Sequence, residues 1–115
     1  MRRTANARTR AEFTGSAPLF AALGDETRLR LVARLCDSGP MSIAKLTEGF
    51  QITRQAITKH LRLMEDAGLV HSAQIGRESL WQLEPKRLDD ARRYLYQIST
   101  DWDHALGRLK RFVER

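Results

Sequence analysis

The clearest pattern of apolar and polar positions lies in the middle of the chain. Ile57, Leu61 and Met64 recur at intervals of four and three residues, which places them on one face of a helix. Thr53 stands where the N-cap of that helix belongs, because its hydroxyl can accept a backbone N–H of the first turn. Gly68 supplies a C-terminal stop. The pattern predicts a helix that is anchored on one side.

The opposite face of this predicted helix, Thr53–Ala67, carries basic and amide side chains. Its polar residues are Arg54, Gln55, Thr58, Lys59 and Arg62, and no acid precedes Glu65. Arg and Lys suit phosphates and guanine edges, Gln suits adenine, and Thr can contact either a phosphate or a base. We therefore interpret the segment as a DNA recognition helix. The alternative is an amphipathic helix that serves only as packing surface.

The segments on either side predict a winged helix-turn-helix domain. Ser42–Gly49 has the pattern of a short amphipathic helix, and the link to the recognition helix is too short for anything but a tight turn. After the recognition helix, Val70–Ile75 and Glu78–Leu83 have the pattern of two strands around a tip formed by Gly76 and Arg77. We expect a mainly α fold with a small β-hairpin.

Two further helices are expected before the helix-turn-helix. The first, Ala17–Leu23, is apolar and ends at Gly24, and the second begins at Asp25, which suits an N-cap. The expected inward positions of the second helix are Leu29, Val32, Leu35 and Cys36. Its arginines, Arg28, Arg30 and Arg34, are expected to lie off that stripe. On this prediction the single thiol is inert on the apolar side of its helix.

From Pro85 onward the chain predicts one long helix, because proline suits the first turn and apolar residues then repeat every seven positions. The two columns are Leu88, Leu95, Trp102 and Leu109, and Ala91, Ile98, Ala105 and Phe112. Such a helix is roughly 38 Å long, and the other helices are too short to cover it. We expect the positions from Leu88 to Leu109 to form a homodimer interface. Packing within one protomer, and a break at Ser99–Asp101, are the alternatives.

Composition and charge agree with a nucleic-acid-binding protein without proving one. The 115 residues include 42% hydrophobic and 30% charged positions, with a formal charge of +6 and a pI near 10.2. No run of about 18 apolar residues predicts a membrane span, and the first residues lack the apolar core of a secretory signal. One cysteine and no sign of export predict a cytoplasmic protein.

We divide the chain into three parts. Residues 1–15 are expected to form a flexible basic arm, residues 16–84 the winged helix-turn-helix domain, and residues 85–115 the dimerisation helix. The arm holds four arginines against one acid, namely Arg2, Arg3, Arg8, Arg10 and Glu12. Contact with phosphates would explain that charge. An unstructured tail without a role is the alternative.

Several motifs together resemble the arsenic-repressor (ArsR/SmtB) family of bacterial winged-helix regulators. Ala22–Leu31 looks like the opening motif of that family. Thr53–Leu61 followed by Glu65–Val70 is similar to its recognition helix and the exit from it, and Gly76–Arg77 resembles its wing tip. The resemblance implies a homodimeric repressor that binds double-stranded DNA at an operator with two-fold symmetry.

The sequence departs from the founding members of that family at the metal site. Their Cys-x-Cys cluster before the recognition helix has no counterpart in Ser42–Leu46. The C-terminal helix offers only Asp101, Asp103 and His104, whereas Zn²⁺ normally takes four ligands. We therefore expect no metal and no cofactor. A sensor whose metal, redox or small-molecule effector binds at the dimer interface is the alternative function.

The sequence argues against two other classes of function, an enzyme and a module that binds only proteins. No Gly-rich phosphate loop, metal-binding helix motif or nucleophile with a nearby base can be identified, so we expect no enzyme. A winged-helix module that only binds proteins would not need the crowded cations of the recognition helix.

The predicted DNA contacts follow from position. Arg54 and Gln55, in the first helical turn, are expected to contact bases, whereas Arg62, farther along, suits the DNA backbone. Arg77 at the hairpin tip suits the adjacent minor groove or its phosphates. His60 is included only as a phosphate donor. The full predicted set is Thr53, Arg54, Gln55, Thr58, Lys59, His60, Arg62 and Arg77. For each residue the alternative is a solvated side chain.

Overall fold

The protein, described from a computed structural model, consists mainly of helices, and the structure describes residues 15–114. Helix α1 covers residues 15–23 of that range. The elements that follow are α2 (Glu26–Ser38), β1 (Met41–Ser42), α3 (Ile43–Thr47), α4 (Arg54–Asp66), β2 (Val70–Ile75), β3 (Glu78–Leu83) and α5 (Pro85–Val113). Apart from residue 15, the predicted basic arm lies outside the described residues. No helix within residues 15–114 combines the length and hydropathy that a membrane span requires.

The predicted hairpin is present, but it belongs to a three-stranded antiparallel sheet. Strands β2 and β3 pair from Val70 opposite Leu83 to Ile75 opposite Glu78. The two-residue strand β1 adds to the outer edge of β3, giving the order β1-β3-β2. Two residues are too few to show a period-two pattern. The sequence therefore predicted the winged helix-turn-helix class, which is confirmed, without this third strand.

The core forms where α1, α2, α3 and α4 meet the base of the sheet. Its fully buried side chains are Leu19, Leu31, Leu46, Ile57, Leu61, Met64 and Leu69. Three of these belong to α4 and are the three that the helical pattern placed inward. Burying a side chain of this size contributes roughly 1.5–3 kcal/mol, so α4 is held firmly on its apolar side.

The inner face of α2 differs from the prediction. Leu31 and Leu35 are the buried residues of this helix, whereas Leu29 and Cys36 are exposed. Arg28 and Arg34, expected on the outside, are partly covered and donate to backbone carbonyls of other segments. Because an arginine can lay its aliphatic stem along apolar surface, the arginines share the inner face and turn the two predicted inward residues outward.

Helix α5 is continuous through residues 99–101, so the long helix is confirmed as a single element. Its first turns pack on the protomer's own core, with Ala91 buried and Leu88 partly buried. At 29 residues it is about 43 Å long. Its second half carries large apolar side chains that the described part of the protomer leaves exposed.

Candidate nucleic-acid interface

Helix α4, the predicted recognition helix, begins as the sequence predicted. The hydroxyl oxygen of Thr53 accepts the backbone N–H of Ala56 at 3.0 Å, and the extended conformation of Thr53 is that of an N-cap. The cap satisfies one of the four unpaired N–H groups at the start of the helix. It leaves the hydroxyl proton of Thr53 free to donate, which is what a phosphate oxygen requires.

The outer face of α4 is exposed and basic from Arg54 to Arg62. Arg54, Gln55, Lys59 and Arg62 are exposed, and the first turn contains no acidic residue. None of these cations forms an ion pair with another residue in the range 15–114. Their charge is therefore not neutralised within the described protomer, so phosphates can take the place of counterions.

Thr58 differs from its neighbours in how its hydroxyl is used. The Thr58 Oγ1 donates to the backbone carbonyl of Arg54 at 2.9 Å, and the side chain is only partly exposed. With its proton committed, the oxygen retains only acceptor capacity. It suits an amino group on a base edge better than a phosphate oxygen, which needs a donor.

His60 lies at the inner edge of the basic face rather than on it. Its Nδ1 accepts from the guanidinium of Arg28 at 3.2 Å, and the same nitrogen lies 3.9 Å from a carboxylate oxygen of Asp25. Arginine can only donate, so this contact requires an unprotonated Nδ1. The imidazole is engaged with α2, which leaves Nε2 as its only atom for a phosphate.

Asp25 completes this small network at the start of α2. Its carboxylate accepts the backbone N–H of Arg28 at 3.0 Å and caps the helix, as the sequence predicted. That hydrogen bond lowers the pKa of Asp25 below its ordinary value, and the charge of Arg28 acts in the same direction.

The hairpin β2–β3 forms the wing beside α4. Gly76 at its tip has a φ of 64°, a conformation that residues with a side chain rarely adopt. Arg77 follows it and is exposed, and Gln74 donates to the carbonyl of Gly76 across the turn. The structure therefore carries two separate basic features, the outer face of α4 and the tip of the wing.

A third surface lies on the second half of α5 and is apolar. Leu95 and Trp102 are 54% and 64% exposed, and Ile98, Leu109 and Phe112 are exposed as well. We call these five residues, with Ala105, the α5 stripe. Leu88 and Ala91, predicted as part of the same interface, already pack within the protomer. The exposed stripe therefore begins one heptad later than the sequence pattern indicated.

Comparisons with known proteins agree with this geometry. The model of a helix-turn-helix domain matches residues 23–73. An arsenical resistance operon repressor of Bacillus subtilis is 31% identical over 70 residues, which span 61% of this chain and 67% of the relative. The HTH-type transcriptional regulator Rv2034 of Mycobacterium tuberculosis is 33% identical over 95 residues, or 83% of this chain and 85% of that protein.

The fold has solved counterparts as well. The structure of an ArsR-like transcriptional regulator from Rhodococcus sp. RHA1 has a TM-score of 0.74 at 34% identity, covering 87% of this chain and 93% of that one. The chain belongs to the ArsR family. It is a winged helix-turn-helix transcriptional regulator that binds DNA, and the predictions of family, fold class and DNA-binding regulation of transcription are confirmed.

Among residues 15–114 there is no group of three or more His, Cys, Asp or Glu side chains that could hold a metal ion. Of the candidate ligands on α5, Asp101 accepts a hydrogen bond from Gln97 at 3.1 Å. All three candidates on this helix are exposed.

Sequence reasoning missed the arginines that hold this ArsR-family domain together. Arg34 donates to the carbonyl of Leu46 at 2.8 Å, and the guanidinium groups of Arg30 and Arg34 lie 4.2 and 4.7 Å from the ring centre of Phe50. They fix the turn between α3 and α4. No spacing in the sequence signals this role, because the acceptor carbonyl lies on another helix.

Proposed function

We propose that this ArsR-family regulator is a sequence-specific repressor that binds a two-fold symmetric operator as a homodimer in the cytoplasm. Helix α4 enters the major groove, and the wing tip contacts the adjacent minor groove or its phosphates. The observation that carries the proposal is the outer face of α4, where exposed cations have no acidic partner in the described protomer. The named repressors among the relatives support the direction of regulation.

The proposed roles of the α4 side chains follow from their exposure and bonding. Arg54 and Gln55, exposed in the first turn, are assigned to base edges, because side chains near the start of a recognition helix reach farthest into the groove. Lys59 and Arg62 are assigned to phosphates, and Thr53 to a phosphate through its free proton. Thr58 is assigned to a base amino group, and His60 to a phosphate through Nε2.

The homodimer is supported by the α5 stripe. Its large side chains are exposed in the protomer, although together they form a single apolar face over nearly three heptads. Soluble proteins seldom leave so continuous an apolar surface to water. A second copy that packs stripe against stripe would cover it and would set two recognition helices about 34–36 Å apart, the separation of successive major grooves.

Two substitutions in α4 test the proposal. Lys59→Ala should weaken binding to all duplexes and reduce the slope of affinity against salt concentration by about one for each phosphate that the lysine no longer neutralises. Gln55→Ala should instead relax preference at one operator position, at a cost of roughly 1–3 kcal/mol. Both are measured by gel-shift titration from about 50 to 200 mM salt.

The matched control is Lys86→Ala, which removes an exposed cation from the start of α5 instead of from α4. It should leave both the affinity and the salt slope unchanged. If Lys59→Ala and Gln55→Ala behaved like this control, α4 would not be the DNA-reading element.

A further inference from the structure

Helix α4 is connected to the first and last helices by two arginine side chains. Arg28, on α2, donates from Nε to the carbonyl of Ala22 at 2.5 Å and from a terminal nitrogen to His60 at 3.2 Å. One guanidinium group therefore touches both the end of α1 and the middle of α4.

The second arginine makes the same kind of bridge at the C-terminal end of α4. Arg87, on α5, donates from Nε to the carbonyl of Ala67 at 3.0 Å, and Ala67 is the C-cap of α4. From a terminal nitrogen it donates to the carbonyl of Gly15, on α1, at 2.6 Å. Both bridges therefore run from α4 to α1, one through the carbonyl of Ala22 and one through that of Gly15.

Helices α1 and α5 form one layer. The ring of Phe20 on α1 and that of Tyr94 on α5 have centroids 5.1 Å apart. The backbone of α5 approaches the described helices α2–α4 and the strands closely at only a few points. The α1–α5 layer is therefore joined to α4 by two means, the apolar packing of the common core and these specific side-chain bonds.

A guanidinium group suits this purpose because its donors have a fixed planar arrangement. Two bonds from one plane to acceptors on different helices restrain an angle as well as a distance, which a lysine ammonium cannot do. We propose that Arg28 and Arg87 are positioning residues that set the orientation of α4 relative to the α1–α5 layer. In the dimer they would fix the separation of the two recognition helices.

This inference rests on the proposed homodimer, because only in a dimer does the orientation of α4 determine a spacing. The simpler role for both arginines is to stabilise the fold by capping exposed carbonyls at helix ends. That role predicts a lower melting temperature on substitution and no change in how precisely α4 is placed. The two accounts therefore differ in a measurable way.

Electron–electron double resonance between two spin labels measures the placement of α4 directly. A nitroxide is attached to Arg62→Cys on the exposed face of α4, in a Cys36→Ser background that removes the other exposed thiol. The parent protein should give one narrow distance distribution between protomers. Arg87→Lys and Arg28→Lys, each keeping the charge but losing the planar fork, should widen it by at least about twofold.

Arg92→Lys is the matched control, since Arg92 is an exposed arginine on α5 that pairs only with Asp89 of the described residues. It should leave the distribution narrow. His60→Phe is a second test of the bridge made by Arg28. It removes the acceptor on α4 and leaves the bonds from Arg28 to α1 intact. It should widen the distribution even if Arg28→Lys proves unable to fold.

The outcomes distinguish the positioning role of Arg28 and Arg87 from the homodimer on which that role depends. Distributions as narrow as the parent's in folded Arg87→Lys and His60→Phe would overturn the positioning role, whatever the change in melting temperature. A parent protein that shows no distance between protomers would contradict the homodimer itself. A parent with one narrow peak and variants with broad ones would support both.

Discussion

Helix α4 and the second half of α5 have the same kind of sequence pattern, but the protomer buries the apolar side of α4 and leaves that of α5 exposed. Each carries apolar residues at helical spacing on one side and polar residues on the other. In α4 the apolar side is fully buried by the protomer, with Ile57 and Leu61 at its centre. In α5 the corresponding side, with Leu95 and Trp102, is exposed.

The polar side of α4 differs from that of the first half of α5. There Arg92 pairs with Asp89 at 2.8 Å and Arg93 with Asp90 at 3.0 Å, whereas Arg108 and Arg111 of the second half form no ion pair with another described residue. On α4 the cations have no such partners among the described residues. The side of each helix that the protomer leaves unsatisfied is therefore the side on which a partner would bind. For α4 this is the charged side, and for α5 the apolar side.

The buried side of α4 should give the largest loss of stability. Leu61→Ala leaves a cavity in the core and should lower the free energy of unfolding by about 2–5 kcal/mol. Leu63→Ala on the same helix removes the same atoms from a half-exposed position and should cost less than about 1 kcal/mol. Urea denaturation measures both. Equal losses would mean that α4 is not anchored as described.

The apolar side of α5 should control association instead of folding. Trp102→Ala should weaken the proposed dimer by about 2–4 kcal/mol, as expected for a large aromatic residue at the centre of an interface. Tyr96→Ala, an exposed aromatic residue off the stripe, should change association little. Sedimentation equilibrium gives the dissociation constants of both variants. A larger loss of dimer affinity for Tyr96→Ala than for Trp102→Ala would contradict the assignment of the α5 stripe as the interface.

The cap of α4 should make a smaller contribution. Thr53→Ala removes the acceptor for the N–H of Ala56 and should lower the free energy of unfolding by about 1 kcal/mol. Thr53→Ser keeps that acceptor and should retain most of the stability. Chemical denaturation of the three proteins side by side tests this, and a serine variant as unstable as the alanine variant would rule out the cap.

The smallest effect should be seen in acid. The hydrogen bond from the backbone N–H of Arg28 lowers the pKa of Asp25 from its ordinary 3.8 in the folded protein. The ionised carboxylate therefore stabilises the fold above that pH, and its contribution is lost as the pH falls from 3.8 through the lower folded value. Asp25→Asn should flatten this part of the stability profile. Urea midpoints measured between about pH 5 and 2.5 report it, and identical slopes for both proteins would contradict it.

Much of the fold could be predicted because it depends on local patterns. The spacing of Ile57, Leu61 and Met64, the cap at Thr53 and the hairpin around Gly76 are all decided by residues a few positions apart. These features agree with the sequence interpretation.

The features that could not be predicted depend on contacts between residues far apart in the sequence. Arg87 bonds to Gly15, 72 positions away, and Arg28 to His60, 32 positions away. Their acceptors are mostly backbone carbonyls, which every residue carries, so no residue type marks them. Arg28 likewise occupies part of the inner face of α2, and Leu29 and Cys36, predicted to lie inward, are exposed. The α5 stripe was predicted from its period, but the protomer alone determined where its exposed part begins.

In the proposed function, two copies of the basic face of α4 bind successive major grooves of one duplex. Selecting bound sequences from a random pool of double-stranded DNA tests it most directly. We expect an inverted repeat whose half-site centres lie about 10 base pairs apart. Enrichment of a single asymmetric half-site, or of no sequence at all, would contradict the claim.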